Sequence, residues 1–249
     1  GTASGGTNEG GAADGGAPNP SVGCSSDLLI CEDFEDTAVG DVPSGWTRHG
    51  NPASVADDQA HRGERSLKLG ATASGERRIY RSATLLGKAH WGRIFYKVKT
   101  PVPDAFVHST LVALSGQGPA NGNSEYRPID TVKQAKNTPD VGSRHNFIFN
   151  VQILGGSEFG RETSYDYTFD DQWHCAEYHV DAADQSYTLY FDGKDVLRFK
   201  NGAGNYNRSD IPDEFKELRV GWNNYQSASP GFTAWIDDIA FDDARIGCD

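Results

Sequence analysis

The sequence predicts an all-β sandwich or barrel, and three observations carry that expectation. Short runs rich in β-branched and aromatic residues recur along the chain, apolar and polar residues alternate within them with a period of two, and Gly, Asn, Asp and Pro mark the turns between them. No long amphipathic helical pattern competes. The most helix-like stretch, IPDEFKEL at 211–218, is about two turns long.

In chain order the runs are RSLKL (65–69), WGRIFYKV (91–98), FVHSTLVAL (106–114), HNFIFNVQIL (145–154), WHCAEYHV (173–180), SYTLYFDG (186–193), KELRVGW (216–222) and TAWIDDIAF (233–241). With 249 residues the chain is long enough to bury a sizeable core. Residues 1–22 differ: they hold no aromatic residue, and Val22 is their one aliphatic side chain larger than Ala. Such a segment buries too little apolar surface to offset its ordering entropy, so it reads as a flexible Gly-rich linker ahead of one domain at 23–249. The chain starts at Gly with no charged-then-apolar leader. The expectation is a secreted or cell-surface protein, its signal peptide or lipoprotein anchor absent from this chain, tethered through the linker and monomeric.

Mean hydropathy is -0.60 and no run approaches the roughly eighteen apolar residues of a spanning helix, so no membrane-spanning segment is expected. The formal charge is -12 and no Lys/Arg cluster resembles a nucleic-acid arm, which argues against nucleic acid as a partner. An anionic ligand would need a local basic cleft, because exposed charges are screened beyond roughly 8–10 Å.

Two strands offer such a face. If 144–154 is extended, Phe147, Phe149, Val151 and Ile153 point one way and Arg144, Asn146, Ile148, Asn150 and Gln152 the other. Guanidinium and carboxamides suit sugar hydroxyls and carboxylates; the alternative is a merely polar outer face. In 216–225, Leu218, Val220 and Trp222 face the core, with Arg219, Gly221, Asn223 and Tyr225 opposite. His108 and Thr110 share a face as well. The expected groove gathers Arg and carboxamides, with the acidic residues mostly elsewhere.

AHRGERSLKL (60–69), WHCAEYHV (173–180), RVGWNNY (219–225) and AWIDDIAFDDARIGC (234–248), with EDFED (32–36) as a first strand, resemble in order and spacing the secreted cellulose-induced protein Cip-one family of filamentous fungi and its bacterial relatives. The resemblance covers roughly 32–248. It implies a β-jelly roll of two antiparallel sheets, of the concanavalin A-like lectin/glucanase type, with an open cleft on the concave face similar to those of glucuronan and alginate lyases. By that likeness Tyr225 matches the cleft Tyr after the G-W pair, and Asn223 stands where the family has Glu. The central-strand His-x-Arg falls on Arg144 and Asn146, or on His145 if a gap is placed. Asn150 matches a later Gln, Asp166 an Asp after Arg161 and Glu162, and His108 a His of the earlier strand. An insertion at about 117–143 is expected as a polar loop. Its SEYR (124–127) is similar to a strand of alginate lyases, which adds Arg127 to the substrate-binding set, and VQI (151–153) is similar to their Q-I-H.

The resemblance also implies a structural calcium ion, with Glu35 and Asp237 as ligands and the backbone of Arg62 and Arg65 completing the set. Four cysteines in an exported chain favour disulfides. The family pairing implies Cys175–Cys248, leaving Cys24 and Cys31 to close a small loop. His61, His174 and His179 sit in fold-defining blocks and read as structural.

No G-x-S-x-G, H-E-x-x-H, phosphate-loop or dinucleotide fingerprint occurs. The leading expectation is a polysaccharide lyase that cleaves a uronic-acid-containing glycan, glucuronan-like, by β-elimination. Tyr225 would serve as base and acid with His108 or His145 assisting, and Arg144, Asn146, Asn150 and Gln152 would hold the carboxylate. The alternatives are a non-catalytic carbohydrate-binding protein, in which Tyr225 is a stacking platform, and a glycoside hydrolase, although the E-x-D-x-x-E strand of jelly-roll glucanases is absent.

Overall fold

The computed structural model describes residues 24, 27–118, 122–156, 158–200 and 210–249; the linker expected at 1–22 lies outside them. Strands numbered in chain order divide between two sheets. One contains β1 (Ile30–Glu32), β3 (Ala53–Ala56), β4 (Ser66–Thr72), β6 (Ala89–Val98), β11 (Trp173–Asp181), β12 (Ser186–Phe191), β13 (Lys194–Lys200) and β15 (Phe232–Asp242). The other contains β2 (Thr47–Gly50), β5 (Gly75–Ser82), β7 (Val107–Gly118), β8 (Gly122–Lys133), β9 (His145–Ile153), β10 (Glu158–Glu162) and β14 (Glu214–Asn224). Their spatial orders are β13-β12-β11-β6-β15-β4-β3, with β1 on β15, and β10-β9-β8-β7-β14-β5-β2. Every strand pairing is antiparallel. The expected β-jelly roll sandwich is what forms.

The alternation in the sequence becomes the layer between the sheets. Phe147, Phe149 and Val151 of β9 and Leu218, Val220 and Trp222 of β14 meet Ile94, Tyr96 and Val98 of β6 and Tyr187 and Leu189 of β12. Trp222 is fully buried, edge-on to Phe232 at 5.4 Å. Truncating an aromatic of this kind costs about 3–5 kcal/mol.

Two segments depart from expectation, and each holds a register shift. The helix-like 211–218 is the entry to β14: Phe215 and Leu218 both reach the core, three residues apart, because a register shift against β7 lies between Phe215 and Glu217. A bulge adds one residue and imitates helical spacing. The segment 117–143 is not a polar loop, since it holds the end of β7 and the whole of β8, a central strand of its sheet. Pro128 sits where β8 shifts register against β9, between Arg127 and Asp130. Proline has no N–H for the ladder and belongs at such a site. Its carbonyl instead accepts the buried Tyr187 hydroxyl from the opposite sheet at 2.5 Å.

Both disulfides form as expected, Cys175–Cys248 and Cys24–Cys31, and both are compatible with an extracellular protein. The first ties the final segment over β11. There Glu177, fully buried, accepts hydrogen bonds from Arg245 Nε at 3.1 Å and the Gly247 amide at 2.6 Å, and the Arg245 guanidinium lies 4.2 Å from the Tyr190 ring. Among the described residues no helix is long and apolar enough to cross a membrane.

His174 has a structural role that carries a pH dependence. Its Nδ1 lies 2.8 Å from Asp192 and its Nε2 2.9 Å from Asp170. Carboxylates only accept, so both ring nitrogens carry protons and the ring is an imidazolium. Burial works to lower its pKa, but the two carboxylates outweigh burial and raise it. The clamp is therefore fully present below the unfolded pKa of about 6.5 and is lost as pH rises through the higher folded value. His174→Gln is expected to lower the melting temperature most below pH 6 and to converge on the parent at alkaline pH; a gap that widens with pH would contradict the clamp.

Candidate functional site

The seven-stranded sheet turns a polar face away from the core, and its middle strands converge on Tyr225, which follows β14 and is 38% exposed. The Tyr225 amide donates to the His108 carbonyl at 2.9 Å, which fixes the residue beside β7. Its ring lies 4.6 Å from the His108 ring, and the Arg127 guanidinium of β8 lies 4.7 Å from its centroid. Two side chains already rest against this ring, which disfavours the stacking-platform role.

A hydrogen-bonded chain runs beneath it. Asp130, fully buried, has Oδ2 2.8 Å from His108 Nε2 and Oδ1 2.8 Å from Thr110 Oγ1. Thr110 Oγ1 also lies 3.1 Å from the Tyr225 hydroxyl. A hydroxyl has one proton; given to the carboxylate, it leaves Tyr225 as donor to Thr110. By the same logic His108 Nε2 carries a proton for Asp130, so in the neutral ring Nδ1 holds the free lone pair. Burial works to depress the His108 pKa, but Asp130 outweighs it and the net shift is upward. Burial raises the Tyr225 pKa against the opposing pull of Arg127. Of the two, Tyr225 is thus the acid and His108 the better base.

Arginines and carboxylates alternate across this face. Arg127 donates from Nε to Glu125 and from Nη1 to Glu158, each at 2.7 Å, and Asn150 Nδ2 donates to the same Glu158 oxygen at 2.5 Å. Arg219 donates to Glu217 at 2.6 Å and lies 3.5 Å from Glu125 and 4.0 Å from Glu76. Arg78 is 3.6 Å from Glu76. Burial would raise the Glu125 pKa, but Arg127 prevails and lowers it. The expectation that acidic residues lie mostly elsewhere is overturned.

The structure brings Tyr225, His108, Arg127 and Asn150 together, and Asn223 lies beside them, opposite Thr110 and Glu76 in register. Others go elsewhere. Arg144 turns back onto its own loop, donating to the carbonyls of Val141 and Asp140 at 2.7 and 2.5 Å, so Arg127 takes the cationic position. His145 faces the core, stacked on Phe169 at 4.3 Å, and burial pushes its pKa down to about 3. Asn146 holds the Thr163 carbonyl at 3.0 Å, and Gln152 donates to Ile153 and Gly156 in the turn after β9. Asp166 accepts the Ser164 hydroxyl within its own loop. Sequence reasoning missed Asp130, Glu125, Glu158, Arg78 and Glu76. The S-E-Y-R match pointed to the right strand, but the register shift at Pro128 concealed that Arg127 and Asp130 share a face.

The proposed calcium ligands are engaged otherwise. Glu35 Oε1 accepts the amides of Glu64 and Arg65 at 3.0 and 2.8 Å, and Asp237 Oδ2 those of His61 and Arg62 at 2.8 and 3.4 Å. Arg65 Nη1 donates to the carbonyls of Glu35 and Thr37 at 2.5 and 3.0 Å. Calcium takes six to eight oxygens. Here the loop turns N–H groups toward both carboxylates and a guanidinium serves the neighbouring carbonyls, so these residues as arranged do not fit a divalent ion. Chelator is expected to shift the melting temperature by less than about 1 °C, while Arg65→Ala lowers it; a calcium-dependent rise would reverse this conclusion.

No protein-family model matches the chain, and no curated protein matches it in sequence. Solved structures do match in fold. A cellulose-induced protein, Cip1, superposes with a TM-score of 0.57 at 19% identity, covering 88% of this chain and 100% of that one. A carbohydrate esterase of the Shiga toxin-encoding bacteriophage phi24B superposes with a TM-score of 0.57 at 18% identity, covering 86% and 97%. The botulinum neurotoxin serotype G binding domain gives 0.52 at 11% identity, and the match spans 88% of this chain but 48% of that one. At these identities the likeness establishes architecture: the chain has the jelly-roll sandwich fold that the cellulose-induced protein has.

Proposed function

We propose that the chain is a carbohydrate-active protein which binds a glycan across the outer face of its seven-stranded sheet and cleaves it beside a uronate by β-elimination. The observation that carries this reading is the chain His108–Asp130–Thr110–Tyr225, which links a base with a free lone pair to a protonated phenol. His108 Nδ1 takes the proton on the carbon next to the carboxylate. The electron pair forms the new carbon–carbon double bond, the bond to the leaving glycosidic oxygen breaks, and the Tyr225 hydroxyl protonates that oxygen. Arg127 offers positive charge to the carboxylate as it gains enolate character. The proton taken up at His108 Nδ1 leaves to solvent and Tyr225 regains its own from solvent, while Asp130 holds the Nε2 proton and so keeps the base tautomer fixed. This reverses part of the sequence-based assignment, since Tyr225 supplies the acid and His108 the base.

The fold neighbours are consistent with a carbohydrate ligand, because one is a carbohydrate esterase and another is induced by cellulose. A second reading, binding without cleavage, has its own support: Arg127 is already neutralised by Glu125 and Glu158. Incubation with glucuronan, alginate and pectin, read by ultraviolet absorbance of the unsaturated product, separates the two. Absorbance growing with time is expected. Retention on these polymers with no product would establish the binder, and reducing ends without absorbance would indicate hydrolysis.

A further inference from the structure

We propose that the uronate cleaved at Tyr225 is an isolated one, flanked in its chain by uncharged sugars, and that uninterrupted polyuronate is a poor substrate. This rests on the β-elimination reading and specifies its substrate class. The argument comes from which charges a ligand meets. Around Tyr225 and along β8 and β14 away from it, the arginines 78, 127 and 219 face the carboxylates of Glu76, Glu125, Asp130, Glu158 and Glu217, so carboxylates outnumber guanidiniums.

Exposure sharpens the imbalance. The Arg78 and Arg127 side chains are 1% and 6% exposed, whereas Glu158 and Glu217 are 43% and 32% exposed; Arg219, at 30%, is clamped by Glu217. The positive charge lies beneath Tyr225, where one carboxylate can reach it from above. The negative charge lies to either side, on β10 through Glu158 and on β14 through Glu217. Sugars flanking the cleaved residue must pass over those edges. A uronate there meets like charge within a Debye length of about 8 Å, while a neutral sugar meets good hydrogen-bond acceptors for its hydroxyls.

The test compares two polymers on the full chain: deacylated gellan, whose chain carries one glucuronate per repeat of neutral sugars, and glucuronan, which is glucuronate throughout. At low ionic strength kcat/KM for gellan is expected to exceed that for glucuronan by about tenfold or more, and the gap should narrow with added salt. Glu217→Gln should raise turnover of glucuronan several-fold and so narrow the gap between the two polymers. Equal rates, or a preference for glucuronan, would overturn the inference while leaving β-elimination intact. If neither polymer yields unsaturated product, the lyase reading falls. Retention then decides the charge spacing: tighter binding of gellan upholds it, and tighter binding of glucuronan refutes it.

Discussion

Tyr225→Phe is expected to reduce unsaturated product by about 10²–10⁴-fold, with retention on the same polymer changed by no more than a few-fold. The variant keeps the ring against His108 and Arg127 and removes only the proton donor. His108→Ala should lose a comparable factor through loss of the base. Asp130 acts through His108 and is a positioning residue, so its signature is a shifted pH profile rather than a simple loss. Asp130 raises the His108 pKa above its ordinary value. Asp130→Asn should therefore move the acid limb of kcat/KM to lower pH while lowering kcat. An unmoved limb would mean that His108 is not the titrating base, and unaltered turnover in Tyr225→Phe would remove Tyr225 from the chemistry.

The largest stability effect is expected at the Cys175–Cys248 disulfide. The two residues are 73 apart, and closing a loop of that size removes chain entropy from the unfolded state worth about 4 kcal/mol in the loop-closure model. Replacing both by Ala should lower the melting temperature by roughly 10 °C in a domain of this size. The Cys24–Cys31 bridge spans 7 residues, and its removal should cost distinctly less. The contrast identifies the mechanism, since equal losses would point to local packing rather than to loop closure.

Most of the fold was legible because burial imposes a period of two on every core strand, and a one-residue error would send polar side chains inward. The same parity puts His145 on the face of Phe147, where the structure has it; the gapped family match drew it into the cleft instead. Tyr225, His108 and Asn150 were legible for the same reason. What parity cannot reveal is a change of phase within a strand. The i, i+3 spacing of Phe215 and Leu218 resembled a helix, and the spacing of Arg127 and Asp130 resembled two opposite faces, for one cause: a register shift between them. Arg144 failed differently. Its position beside β9 suited a groove cation, but nearby carbonyls of Asp140 and Val141 captured it, and local backbone acceptors are invisible to strand alternation.

The irregularity at Pro128 makes the reaction centre depend on counting. Arg127 and Asp130 are three apart, an odd separation that a regular strand would send to opposite faces, and the extra residue between them returns both to one face. Were the strand to run regularly through this point with its length unchanged, one of the two would turn toward the apolar layer: if Asp130 turned, the base would lose its anchor; if Arg127 turned, the phenol would lose its cation. Deleting Pro128 leaves the two residues two apart, on one face of a regular strand. The chemistry proposed for this sheet thus has a structural reading frame, which a change in length at a residue that touches no substrate restores or breaks according to its parity alone.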